Sequence, residues 1–271
     1  MTRLLVLATA LTLLAGMAHA DDRIGIVLMH GKQSTPLGIS PPGSNRPPAG
    51  GQLVDALKSE GYLVTQPEMC WSRDRRLDKP FAECLAEIDT AIANLKAKGA
   101  TAFIVAGLSQ GGLAAIAYGA RHSDILGVIA YAAADDPVGK SNLPAIARAI
   151  DKAKRMVADG KGGETSSFDD VNTGPQGSFT MSLHTTADIY LSFYAPDAET
   201  GIGRNMANLK VPILWVYSES DPSQRNATSF FAKAPPNPLN RQVTVFADHV
   251  ATVNAGRGAT LEWIKQVAQA R

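Results

Sequence analysis

Cysteine is nearly absent: the 271 residues hold two, Cys70 and Cys84. That scarcity rules out a disulfide-framework miniprotein, and the spacing of the pair fits no zinc pattern. In an oxidising compartment the two can close a short loop, an arrangement that contributes about 3 kcal/mol when its geometry is relaxed; otherwise they stand as two reduced structural thiols. Excess charge is missing too. Lys and Arg total 26 against 25 Asp and Glu, a formal net charge of +1, and such neutrality argues against nucleic acid or an anionic membrane surface as the main partner. Beyond the first twenty residues no run is long and apolar enough for a membrane helix. There is no internal repeat and no low-complexity tract.

What is present begins with a leader. Arg3 precedes the apolar run Leu4 to Leu14, and Gly16-Met17-Ala18-His19-Ala20 follows ahead of Asp21-Asp22. This reads as a secretory signal peptide, residues 1–20, cleaved after Ala20, so the mature chain is expected to be secreted, in the periplasm, and not inserted in the membrane after cleavage.

The mature sequence alternates short apolar runs with amphipathic segments. Strands are expected at Arg23 to Met29, Tyr62 to Thr65, Ala102 to Ala106, Ile125 to Ala132, Val211 to Tyr217 and Gln242 to Phe246. Helices are expected at Gln52 to Glu60, Phe81 to Lys98, Leu113 to Tyr118, Ala227 to Phe231 and Ala259 to Ala268. Nearly continuous apolar strands alternating with helices indicate an α/β protein whose mostly parallel sheet is covered on both faces. The alternation breaks between 138 and 209. A helix from Leu143 to Ala158, a polar segment from Asp159 to Ser182 and a helix around Thr186 to Phe193 stand there, and this insertion reads as a cap or lid between core segments 21–137 and 210–271. Its Met156, Phe168, Met181, Tyr190, Phe193 and Tyr194 either line an acyl pocket or form the cap's own core. Asp169 and Asp170 read as solvated loop carboxylates with no ligand set for a metal.

Chemistry concentrates at Gly107-Leu108-Ser109-Gln110-Gly111, between a strand and an Ala-rich helix. Such a turn needs residues without Cβ bulk, and it exposes the serine at its apex. A plain strand-to-helix turn with a capping serine is the alternative. A nucleophilic Ser109 needs a base, and His249, just past the last expected strand, stands in the required chain order; His30, His122 and His184 are placed otherwise. The acid that orients the imidazole is expected at Asp221, after the preceding strand, with Glu219 and the pair Asp135-Asp136 as rivals. Two donors for an oxyanion are the backbone N–H of Gln110, at the start of the helix, and that of Lys32, in the supporting loop His30-Gly31-Lys32.

This order of motifs resembles the α/β-hydrolase superfamily over nearly the whole mature chain. The elbow, Gly-Leu-Ser-Gln-Gly-Gly, is similar to the G-[FL]-S-Q-G-G of the carboxylesterase and acyl-thioesterase branch. That branch is compact, whereas this chain inserts a long segment before Asp221; the inserted segment is similar to that of a group of exported bacterial α/β-hydrolases. The resemblance implies a serine hydrolase acting on a small-molecule ester, thioester or amide through a triad of Ser109, His249 and Asp221, without metal or organic cofactor. A peptidase would use the same residues. A binding protein that keeps the hydrolase scaffold without catalysis is the reading from another class.

Overall fold

Six strands lie in one sheet, and in the four central strands alternate residues feed two separate cores. The computed structural model describes residues 23–40, 43, 47–174 and 176–270; the expected signal peptide, residues 1–20, lies outside them. In chain order the elements are β1 (Ile24–Met29), α1 (Gly51–Ser59), β2 (Leu63–Thr65), α2 (Phe81–Ala97), β3 (Ala102–Leu108), α3 (Gln110–Gly119), β4 (Gly127–Tyr131), α4 (Pro144–Ala158), β5 (Thr165–Gly174), β6 (Gly177–Thr186), α5 (Ala187–Tyr194), α6 (Ile202–Ala207), β7 (Ile213–Ser218), α7 (Ala227–Phe231), β8 (Arg241–Val245), α8 (Thr252–Ala255) and α9 (Arg257–Gln269).

The sheet order is β2-β1-β3-β4-β7-β8, and every neighbouring pair is parallel. Parallel neighbours require crossovers, and the helices that make them cover both faces. Val27, Met29, Val105, Ala130 and Trp215 face one core, closed by α2, α3 and the inserted helices. Ile26, Leu28, Ile104, Ile129 and Val216 face the other, where Leu53 and Leu57 of α1 and Trp263 and Ile264 of α9 complete the packing. Burial on both sides is why β1, β3, β4 and β7 are apolar throughout rather than alternating.

The long crossover from β4 to β7 carries α4, β5, β6, α5 and α6. Here the structure corrects the sequence reading of 159–182 as a polar segment without regular structure. Most of it forms an antiparallel hairpin, β5 with β6, in register from Thr165 opposite Thr186 to Gly174 opposite Gly177. Side chains alternate across it. Phe168, Asp170 and Asn172 share the inner face with Leu183, Met181 and Phe179, whereas Asp169, Val171 and Thr173 share the outer face with Ser182, Thr180 and Ser178. Phe168 and Leu183 are buried at the hairpin's base. Phe168 stacks on Tyr190 at 4.6 Å, and Tyr190 stacks on Tyr194 at the same distance, so these aromatics belong to the core of the insertion. Thr186 caps α5 by accepting from the Ile189 N–H at 3.4 Å.

The Cys70–Cys84 disulfide is present, with Cα atoms 5.6 Å apart. It fastens the loop after β2 to α2.

Candidate active site

Because the strands run parallel, the segments leaving β1, β3, β4, β7 and β8 emerge along one edge of the sheet. These carry, in that order, Lys32, Ser109, Asp135, Asp221 and His249.

Ser109 sits between β3 and α3 with φ 55° and ψ −114°, a left-handed backbone that costs a non-glycine residue about 1–3 kcal/mol. The packing holds it there. Its N–H donates to the Tyr131 carbonyl at 2.8 Å, and its carbonyl accepts the first helical bond, from the Leu113 N–H at 2.9 Å. The flanking glycines are sterically obligatory: a Cβ on Gly107 would lie 2.3 Å from the Gly111 carbonyl carbon, and one on Gly111 would lie 2.7 Å from the His30 carbonyl oxygen. Among the described residues the Ser109 hydroxyl has no hydrogen-bond partner, and it opens into a cavity of ≈ 380 Å³ that His249 also lines.

His249 Nδ1 is 2.5 Å from Asp221 Oδ2. With the proton on Nδ1 donated to that carboxylate, Nε2 is left as an acceptor. Asp221 is buried at 7% exposure, and its other oxygen is occupied: Oδ1 accepts from the Ser223 N–H at 3.0 Å and from Ser223 Oγ at 2.8 Å. Ser223 Oγ in turn accepts from Gln224 Nε2 at 2.8 Å, and Gln224 Oε1 accepts from the Ala134 N–H at 3.2 Å. Burial alone pushes the Asp221 carboxyl up, but the bond with His249 and the two from Ser223 outweigh it and hold it below the usual carboxylate range. The group therefore stays charged.

The sequence rivals of Asp221 are engaged elsewhere. Asp135 pairs with Lys140 at 2.9 Å, Asp136 accepts from the Ile202 N–H at 3.4 Å, and Glu219 is exposed. The other histidines are also occupied. His122 stacks on Tyr118 at 3.9 Å, and His184 lies 3.1 Å from Ser167 Oγ on the hairpin.

The His30-Gly31-Lys32 loop packs directly on the elbow. A Cβ built on Gly31 would be 3.4 Å from Ser109 Cβ and 4.0 Å from Ser109 Oγ. His30 is wholly buried, and both ring nitrogens are bonded. The Met69 N–H donates to Nε2 at 3.1 Å, which leaves Nδ1 to carry the proton and donate to the Gly31 carbonyl at 2.7 Å. That carbonyl and the Lys32 N–H belong to one peptide plane, so fixing one aims the other the opposite way. Among the described residues the Lys32 N–H has no acceptor. The Gln110 N–H precedes the first helical bond, at the positive end of the α3 dipole.

Two clusters escaped the sequence reading. Ser223 and Gln224 brace the carboxylate, and a signal for Ser223 exists: in Asp-Pro-Ser, the aspartate readily accepts from the backbone two residues on. Asp170 is the other. Expected to be solvated, it is fully buried and ion-paired with Lys32 and Lys140, partners too distant in sequence to be foreseen. Among the described residues no cluster of three or more metal-ligating side chains occurs, and no helix is long and apolar enough to cross a membrane.

No protein-family model and no curated protein sequence matches the chain. Solved structures do. The Paleococcus ferrophilus monoacylglycerol lipase aligns at TM-score 0.62 and 17% identity over 90% of this chain and 94% of that one. The α/β hydrolase GrgF from Penicillium sp. sh18 aligns at 0.61 and 14% over 93% and 91%. Est1E from Butyrivibrio proteoclasticus aligns at 0.53 and 17% over 92% and 91%. With its parallel sheet, its serine elbow after β3 and this likeness over nearly the full length, the chain has the α/β-hydrolase fold.

Proposed function

We propose that the protein is an exported serine hydrolase that cleaves a carboxylic ester through an acyl-enzyme on Ser109, with segment 138–209 as its cap. The observation that carries this reading is the Asp221–His249 pair, 2.5 Å apart, with His249 lining the same cavity as Ser109. Structural neighbours that are lipases and esterases by name support the choice of ester. The leader and the disulfide support export.

In the proposed mechanism His249 Nε2 takes the Ser109 proton as Oγ attacks the acyl carbon. The carbonyl electron pair moves onto oxygen, where the N–H groups of Gln110 and Lys32 stabilise it. Collapse of the tetrahedral species breaks the ester C–O bond, and the imidazolium returns its proton to the leaving alcohol. Water then repeats the sequence on the acyl-enzyme and releases the acid. Asp221 stays ionised throughout, holding the imidazole tautomer and stabilising the imidazolium.

The test is Ser109→Ala in the mature chain. Fluorophosphonate labelling and hydrolysis of p-nitrophenyl butyrate are expected to disappear, with the thermal melt retained. Labelling that persists in this variant overturns Ser109 as nucleophile.

A further inference from the structure

Asp170 stands on the inner face of β5 with no exposed surface, and a carboxylate so placed stays charged only if it is fully paired. Lys32 Nζ donates to its Oδ2, as does Asn172 Nδ2 at 3.0 Å, and Lys140 Nζ reaches its Oδ1 at 3.4 Å. The ammonium groups are themselves anchored. Lys32 Nζ also donates to Asn172 Oδ1 at 3.3 Å and Tyr194 Oη at 3.4 Å, whereas Lys140 Nζ donates to Asp135 at 2.9 Å and the Val171 carbonyl at 2.7 Å. Burial alone pushes the Asp170 carboxyl up, but the two cations and the hydrogen bonds outweigh it and hold it at about 2.

Lys32 thus has two ends with different duties. Its backbone N–H is a proposed oxyanion donor, and its side chain ends on the hairpin. Gly31 before it has no Cβ to wedge the chain in place. The His30 ring holds the Gly31 carbonyl, Trp71 holds the residues on either side through the His30 carbonyl and the Gln33 N–H, and the hairpin holds the Lys32 side chain itself.

We infer that Asp170 is a positioning residue for acyl transfer: through its ion pair with Lys32, the β5–β6 hairpin holds the Lys32 amide in place beside Ser109. This rests on the hydrolase reading of Ser109. It makes the cap part of the oxyanion hole, in addition to being a wall of the cavity. Were the hairpin merely a brace for the fold, breaking the ion pair would lower stability alone; were it merely a wall of the cavity, breaking it would raise KM. Misplacing an oxyanion donor lowers kcat.

The experiment compares Lys32→Met, Asp170→Asn and the double variant, with kcat and KM for p-nitrophenyl butyrate and the thermal melt of each. Lys32→Met keeps the backbone N–H and the apolar stem, and leaves Asp170 paired with Lys140. Each single variant is expected to lose on the order of 10- to 100-fold in kcat, since misplacement costs up to what removing one such donor costs. KM is expected to stay within about threefold, and the double variant to fall no further than the worse single one, because both remove the same contact. If Asp170→Asn does not accumulate as folded protein, Lys32→Met alone decides by the same division between kcat and KM. Wild-type turnover with a Lys32→Met kcat within about twofold of it, a loss confined to KM, or losses that multiply in the double variant, overturns the inference alone. A wild-type chain that neither takes the fluorophosphonate nor hydrolyses the ester overturns the hydrolase reading, and the inference with it.

Discussion

At the scale of single residues, some of the side chains that support the site have a partner for every polar atom. His30 is the clearest case. Its Nε2 accepts from Met69 and its Nδ1 donates to Gly31, so the imidazole must be neutral: a proton on Nε2 would face the Met69 N–H with another donor. Burial, the largest influence, lowers its pKa below the ordinary value near 6.5, against a smaller upward pull from the Gly31 carbonyl. The unfolded chain therefore takes up this proton at higher pH than the folded one. Stability contributed by neutral His30 is complete above about pH 6.5 and is lost as pH falls through the lower folded value. Chemical denaturation of the wild type is expected to show stability declining below about pH 6.5, and His30→Gln, which keeps an acceptor for Met69 but cannot titrate, is expected to flatten that limb. An unchanged slope in the variant removes His30 as its source. Asp221 shows how far such detail can be read from sequence. Its place after β7 singled it out, but that place does not reveal what fixes the carboxylate. Ser223 holds Oδ1 and leaves Oδ2 to His249, a division of labour that only the folded turn displays.

At the scale of elements, legibility followed burial. β1, β3, β4 and β7 are buried on both faces, so each appears in the sequence as an unbroken apolar run, and α2 shows its buried Phe81, Leu85, Ile88, Ile92 and Leu95 at helical spacing. The hairpin shows neither pattern. Its inner face mixes Phe168 and Leu183 with Asp170 and Asn172, and its outer face is mostly polar, so no alternation of apolar and polar residues survives along β5. The charge that makes Asp170 look like a surface residue is neutralised by Lys32, 138 positions away. α6, with six residues, is too short for periodicity to register. The disulfide was legible as a pairing but not in its consequence. Met69 and Trp71 flank Cys70, and Trp71 donates from Nε1 to the His30 carbonyl at 2.9 Å while its own carbonyl accepts from the Gln33 N–H at 2.8 Å. The stapled loop therefore buttresses the His30-Gly31-Lys32 turn. Chain recovered from a periplasm is expected to begin at Asp21 and to contain no titratable thiol. Replacing both cysteines by alanine is expected to cost about 3 kcal/mol in chemical denaturation, from the loop entropy returned to the unfolded chain. Free thiols in the recovered protein, or an unchanged denaturation midpoint, count against the staple.

At the scale of the whole molecule, the cavity is a joint product of the sheet edge and the insertion, and its lining is mixed in chemistry. Lys32, Gln110, Asp135 and Asn172 are polar, whereas Leu108, Met181, Phe179 and Val250 are apolar. Lys32 is compensated by buried Asp170, and Asp135 by Lys140, so these two add hydrogen bonding without a lone charge. Phe179 lies near the hairpin tip, opposite Asn172, and is 52% exposed. An exposed aromatic at the mouth of a cavity loses surface to water only when a ligand covers it, and that gain is the same in the ground state and the transition state. Phe179→Ala should therefore act on binding and leave the chemical step alone. For a p-nitrophenyl ester with an apolar acyl chain, KM is expected to rise about 5- to 30-fold with kcat nearly unchanged, equivalent to roughly 1–2 kcal/mol of apolar contact. The same substitution should matter less for p-nitrophenyl acetate, whose acyl group is too short to reach the tip. Steady-state kinetics on both esters decide the matter: equal effects on the two, or a loss carried by kcat, would place Phe179 outside the acyl path and leave Leu108, Met181 and Val250 as its apolar wall.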